Sequence, residues 1–150
     1  MKTIVMCSSA NFYKQVVALQ TELEAMGYTV LIPHNAQVMK DSGDYDVSHY
    51  KTWFGNADDY DKKADYMRWH FDEIAKGDAV LVVNNEKRGV QNYIGGNVLM
   101  EMALAFYLKQ PIYLLNDVPN ESSFLEEILG LGSVPLNGDL QKLTASFPAE

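Results

Sequence analysis

The chain has 150 residues, 47% hydrophobic and 21% charged, a length and balance expected of one soluble globular domain spanning residues 1–150 around its own core. Twenty acidic residues against twelve basic ones give a net charge of −8, which argues against nucleic acid as a partner, because a phosphate-backbone binder needs a basic face. There is no long apolar run and no leader-like start, so a cytoplasmic protein with no membrane partner is expected.

Thr3–Met6 reads as a short buried strand. A lone Cys7 closes it; this excludes an internal disulfide and suits a reducing compartment. Free cysteine at such a place is usually a small buried hydrophobe, and no histidine lies near it in sequence to make it a nucleophile. Ser8–Asn11 then opens a helix with Phe12, Val16, Leu19, Leu23 and Met26 on one stripe, ended by Gly27. Tyr28–Ile32 is a second strand, broken by Pro33, so the opening forms a βαβ unit.

His34–Asn56 has no clean period and carries the aromatics Tyr45, Tyr50, Trp53 and Phe54. A structureless segment of this length inside a small domain is either a lid or an unrecognised helix. Asp58 and Asp59 suit a first helical turn, after which Ala64, Met67, Phe71 and Ile74 continue a helix to Gly77. His70 falls beside that stripe and can face the sheet end, whereas Asp72 points away. His34, His49 and His70 are far apart, with no cysteine or paired carboxylates at ligand spacing, so no metal is expected.

Ala79–Val83 and Ile112–Leu115 are apolar throughout, the pattern of parallel strands covered on both faces. Between them lie a long polar loop, Asn84–Gly96, and an apolar helix, Val98–Leu108, in which Glu101 is the one charged residue. A carboxylate on a segment hydrophobic all round calls for a task. Asn97 as helix cap accounts for it only in part, because a capping box would place the acid at Met100. Ligands of open parallel sheets sit at the carboxyl ends of strands, and the long loop delivers Glu101 there. A short helix over Ser122–Leu129, a weak strand near Ser133–Leu136 and a turn at Asn137-Gly138-Asp139 complete the chain. The expected fold class is α/β, a three-layer flavodoxin/Rossmann-like fold with a mostly parallel sheet of about five strands.

The segment Asp78–Asn116 and the opening strand with Cys7-Ser8-Ser9-Ala10-Asn11-Phe12 resemble the nucleoside 2-deoxyribosyltransferase superfamily, including its nucleoside 5′-monophosphate N-glycosidase branch. GNVLMEMALA is similar to that family's Gly-x-x-x-Glu-x-Gly-x-Ala helix through Gly96, Glu101 and Ala105, with Ala103 for the second glycine. The N-terminal loop resembles the branch's Gly-Ser-x-Arg phosphate loop, with Ser8 for the glycine, Ser9 retained and Asn11 for the arginine. His70 stands where the family usually has an Asp, and Gly95 where it has Asp or Ser.

The resemblance implies an enzyme that cleaves or transfers the (deoxy)ribosyl group of a nucleoside or nucleoside monophosphate, with Glu101 as nucleophile. Physically, a carboxylate can trap or stabilise an oxocarbenium-like sugar, and His70 has an ordinary pKa suited to protonating the departing base. Ser8, Ser9 and Asn11 are the expected phosphate site, assisted by Arg88 or Lys87; Tyr13, Asn92, Gly95, Gly96, Asn97 and Asn116 complete the substrate-binding set. The two glycines would let the ligand approach the backbone. No cofactor is called for. The alternative is a non-catalytic nucleotide-binding or sensing module on the same fold; a third reading is a flavodoxin-like protein binding a flavin or a protein partner. The hydrophobic surface of Val98–Leu108 exceeds what one sheet face needs, so a homodimer is expected.

Overall fold

Five strands build the sheet: β1 Thr3–Ser8, β2 Thr29–Leu31, β3 Ala79–Val83, β4 Ile112–Leu114 and β5 Val134–Pro135, all parallel, in the order β2-β1-β3-β4-β5. The computed structural model describes all 150 residues. Every residue of β3 is buried, as a run without alternation requires when both faces of a strand are covered. The start of β3 is locked to the start of β1, since Asp78 accepts the Thr3 amide at 2.8 Å while its own amide donates to the Thr3 carbonyl at 2.8 Å.

Successive side chains of β1 point to opposite faces, and this sorts the helices into two layers. Ile4 and Met6 pack with Val16 and Leu23 of α1 (Tyr13–Ala25) and with Leu143 of the C-terminal helix Leu140–Ser146. Val5 and Cys7 pack instead with Ile74 of the long helix Tyr60–Lys76 and with Val98, Met102 and Ala105 of the helix Gly96–Tyr107. Burying one such Leu, Ile or Met side chain contributes roughly 1.5–3 kcal/mol, and both faces of β1 and β3 draw on it.

In chain order the helices are α1, α2 (His34–Ser42), α3 (Tyr60–Lys76), α4 (Gly96–Tyr107), α5 (Leu125–Gly130) and α6 (Leu140–Ser146). The flavodoxin-like α/β class is therefore as expected from the sequence. Two helices go beyond that reading, one inside the segment left open as lid or helix and one unforeseen. α2 follows Pro33, buries Ala36 and Met39, and stops at Gly43 in the left-handed region, so His34–Asn56 is part helix and part loop with short 3-10 turns. α6 is capped by the Asp139 carboxylate on the Gln141 amide, and its seven residues bury only Leu143, too little for a visible period. No helix is long and apolar enough to cross a membrane.

Candidate functional site

The strand order reverses between β1 and β3, and a cleft opens at their carboxyl ends, the place where open parallel sheets bind ligands. Ser8, Ser9 and Tyr13 reach it from the β1–α1 connection, Lys51 and Trp53 from the segment after α2, and Lys63, Tyr66 and His70 from α3. Lys87 and Tyr93 come from the β3–α4 connection, and Gly95, Gly96, Asn97 and Glu101 from the start of α4. Counted out to its open mouth, the cleft encloses about 880 Å³.

Glu101 forms the floor. It follows Val98 by three residues and adjoins Met102, so the helix turns it onto the buried face, where it is 4% exposed. Asn97, one turn earlier, donates to its Oε1 at 3.0 Å, and Lys63 donates to Asn97 Oδ1 at 3.0 Å. Its other oxygen, Oε2, has no hydrogen-bond partner and lies 3.8 Å from His70 Nε2. Cys7 Sγ, on the same side of β1, lies 3.5 Å from His70 Nε2.

Burial sets the protonation of this group. Loss of hydration pushes the Glu101 carboxyl up to about 8, against the opposing influence of the nearby Cys7 thiol and the Lys63 charge. Burial likewise pulls His70 down to about 4, with the Met6 backbone and Glu73 opposing. Burial, followed by the Glu101 charge, raises the Cys7 thiol, and the same two causes raise the Tyr13 phenol. At neutral pH burial thus favours the uncharged forms of the Glu101 carboxyl, the His70 imidazole and the Tyr13 phenol that line the cleft, and of the Cys7 thiol behind them.

The walls differ. Lys51, Lys63 and Lys87 are each held below the usual lysine range, first by burial and then by one another or by Arg88. None forms an ion pair with a carboxylate; Lys63 bonds Asn97 and Lys87 bonds Ser9 Oγ at 3.1 Å. Aromatic rings alternate with these cations. Lys87 Nζ sits 4.6 Å from the centre of the Tyr93 ring and Lys63 Nζ 5.6 Å from that of Trp53, which in turn neighbours Tyr66 at 6.2 Å.

The long β3–α4 connection is an ordered hairpin. Lys87 and Val90 exchange two backbone hydrogen bonds of 2.9 Å across Arg88-Gly89, whose φ values of 50° and 83° are those of a two-residue turn matching strand twist. This turn exposes Arg88 at its tip and places Lys87 in the cleft, so Lys87, and not Arg88, joins the Ser8–Ser9 loop. Gly95 serves Tyr93: a Cβ there would come within 2.8 Å of the Tyr93 hydroxyl, whereas Gly96 faces open space.

Of the residues expected from the sequence, Ser8, Ser9, Tyr13, His70, Gly95, Gly96, Asn97 and Glu101 converge on the cleft. Asn11, Arg88, Asn92 and Asn116 do not line it. Asn11 accepts from Ser9 Oγ at 3.3 Å, Asn92 reaches the Val118 carbonyl at 3.5 Å, and Asn116 braces the β3 end through Asn84 and Asn85. Asn97 lies inside α4, whose cap position is Gly95. Missed by the sequence reading were Lys51, Lys63, Tyr66 and Tyr93; the clustering of lysine with aromatics in Lys51-Thr52-Trp53 was the available signal. Burial opposes the charged forms of both Glu101 and His70, the two residues expected to carry catalysis.

No protein-family model matches the chain, and no curated protein matches it. Among solved structures it is similar to FerB, a flavoenzyme NAD(P)H:(acceptor) oxidoreductase from Paracoccus denitrificans, at a TM-score of 0.44 and 18% identity over 99% of this chain and 92% of that one. A likeness at that level transfers no activity. The expected membership of the nucleoside 2-deoxyribosyltransferase superfamily is overturned: neither the family models nor the curated proteins return it for this chain. The N-glycosyl reaction, as hydrolase or transferase, falls with it.

Proposed function

We propose that the cleft between β1 and β3 binds a small phosphorylated ligand with a flat heterocyclic ring. The observation that carries this reading is the convergence of Lys51, Lys63 and Lys87 in one cleft with no carboxylate paired to any of them, on a chain of net charge −8. Half-buried cations that repel one another are costly unless an anion joins them. Ser9, already bonded to Lys87, adds a hydroxyl beside the phosphate position, and Trp53, Tyr66 and Tyr93 offer ring faces for the heterocycle. The Tyr13 hydroxyl and Asn97 amide are hydrogen-bonding groups for the uncharged part of the ligand.

Thermal-shift and calorimetric titration with flavin mononucleotide, nucleoside monophosphates, their dephosphorylated forms and inorganic phosphate tests this. Phosphorylated heterocycles are expected to stabilise the protein, with affinity falling at least tenfold on loss of the phosphate and again in the Lys87→Ala variant. Equal binding of phosphorylated and dephosphorylated forms, or no binding by any of the panel, would overturn the reading. The homodimer is likewise a proposal, supported by Met100, Phe106, Tyr107 and Leu108, which leave an apolar strip of α4 exposed.

A further inference from the structure

Folding brings the one cysteine of the chain, a histidine and a carboxylate into a single buried cluster. The donor atoms of Cys7, His70 and Glu101 all lie within 4.8 Å of one another, with His70 Nε2 at 3.5 Å from Cys7 Sγ and at 3.8 Å from Glu101 Oε2. A zinc ion bound at about 2.3 Å to sulfur and about 2.0–2.1 Å to nitrogen and oxygen, at tetrahedral angles, holds its ligands about 3.3–3.6 Å apart. The two measured edges fall within a few tenths of an ångström of that range.

We propose that Cys7, His70 and Glu101 form a three-ligand site for a zinc-class divalent cation, with its fourth position open to the cleft. The second observation behind it is Glu101 Oε2, buried, without a hydrogen-bond partner and turned toward the other two donors. Its sister oxygen is already fixed by Asn97, the arrangement that orients a ligating carboxylate from behind. The charges also balance. A divalent cation with a thiolate, a carboxylate and a neutral imidazole is a neutral set, which a buried position tolerates far better than an isolated ion. His70 keeps its proton on Nδ1 and offers the Nε2 lone pair. Cys7 and Glu101 bind as thiolate and carboxylate, their protons passing to solvent as the bonds to the metal form.

The mixed S/N/O donor set selects zinc or cobalt over calcium or magnesium, which take oxygen ligands. The sequence expectation of no metal rested on the absence of ligands at close spacing along the chain; here the spacing is across the fold, from β1 to α3 to α4. Lys63 on α3 and Tyr13 on α1 are the other titratable groups facing the site. His70 and Glu101 line the cleft and so give an ion its way in.

This inference does not rest on the phosphorylated-ligand reading, and its test uses no organic ligand. Reduced, chelator-stripped full-length protein is titrated with cobalt(II) near neutral pH. The expected result is a thiolate-to-cobalt charge-transfer band and intense visible bands of four-coordinate cobalt, saturating at one equivalent, abolished by zinc and untouched by magnesium. Glu101→Gln and His70→Ala, shown folded by circular dichroism, are expected to weaken binding at least tenfold. No charge-transfer band, or a band unchanged in both folded variants, would overturn the site.

Discussion

His70 Nε2 and Glu101 Oε2 stand 3.8 Å apart in the floor of the cleft, and neither is charged at neutral pH. A pair that would be an ion pair in water is here an imidazole facing a carboxylic acid, because burial opposes both charged forms. The consequences below follow from that and from the bracing around it.

Glu101→Gln should be more stable than the metal-free wild type at high pH. In the unfolded chain the carboxyl ionises near its ordinary value, whereas in the fold it stays protonated up to about 8. The unfolded state therefore binds fewer protons across that interval, and wild-type stability falls as pH rises through it. The glutamine has no such dependence. Chemical denaturation should give nearly equal stabilities at pH about 4.5 and an advantage for the variant on the order of a few kcal/mol above pH about 8.

Lys63→Met should push the Glu101 carboxyl still higher. The Lys63 charge favours the carboxylate, and its hydrogen bond holds Asn97 against Glu101. Removing it leaves burial less opposed. Carbon-13 NMR of the labelled Glu101 carboxyl should show a titration midpoint above that of the wild type; a midpoint that falls would contradict the assignment.

Asn84→Ala should destabilise the fold. Asn84 is fully buried at the end of β3, donates to the Asp117 carbonyl at 2.8 Å and accepts the Asn116 amide at 2.9 Å. The alanine leaves both backbone groups without partners, a cost of about 1–3 kcal/mol for each group left unsatisfied. Urea denaturation should register at least one such loss, with most of it absent if water replaces the side chain.

Tyr107→Glu tests the α4 strip. Tyr107 is 81% exposed beside Phe106 at 54%. If two copies meet there, sedimentation should show the wild type as a dimer at micromolar concentration and the variant as a monomer, with unfolding of the monomer little changed. A monomeric wild type would dispose of the dimer.

The centre of the sheet was legible in the sequence because β1, β3 and β4 are buried on both faces, and a run such as Ala79–Val83 records that burial residue by residue. Glu101 was legible as the lone charge in an apolar helix, and the fold buries its side chain although Met100, Phe106 and Tyr107 of the same helix stay exposed. What it does was not. Its protonation depends on water excluded by β1, α3 and α4 together, and no local pattern carries that information. Cys7 and His70 are 63 residues apart, and their contact arises only because β1 and α3 pack on one side of the sheet. Lys51 and Lys63 each look like ordinary surface charges on an acidic chain, and only Lys87 drew notice, through its place in the long loop. Periodicity tells which face of an element turns inward; which inward faces meet, and what they leave unpaired, is decided by packing in three dimensions.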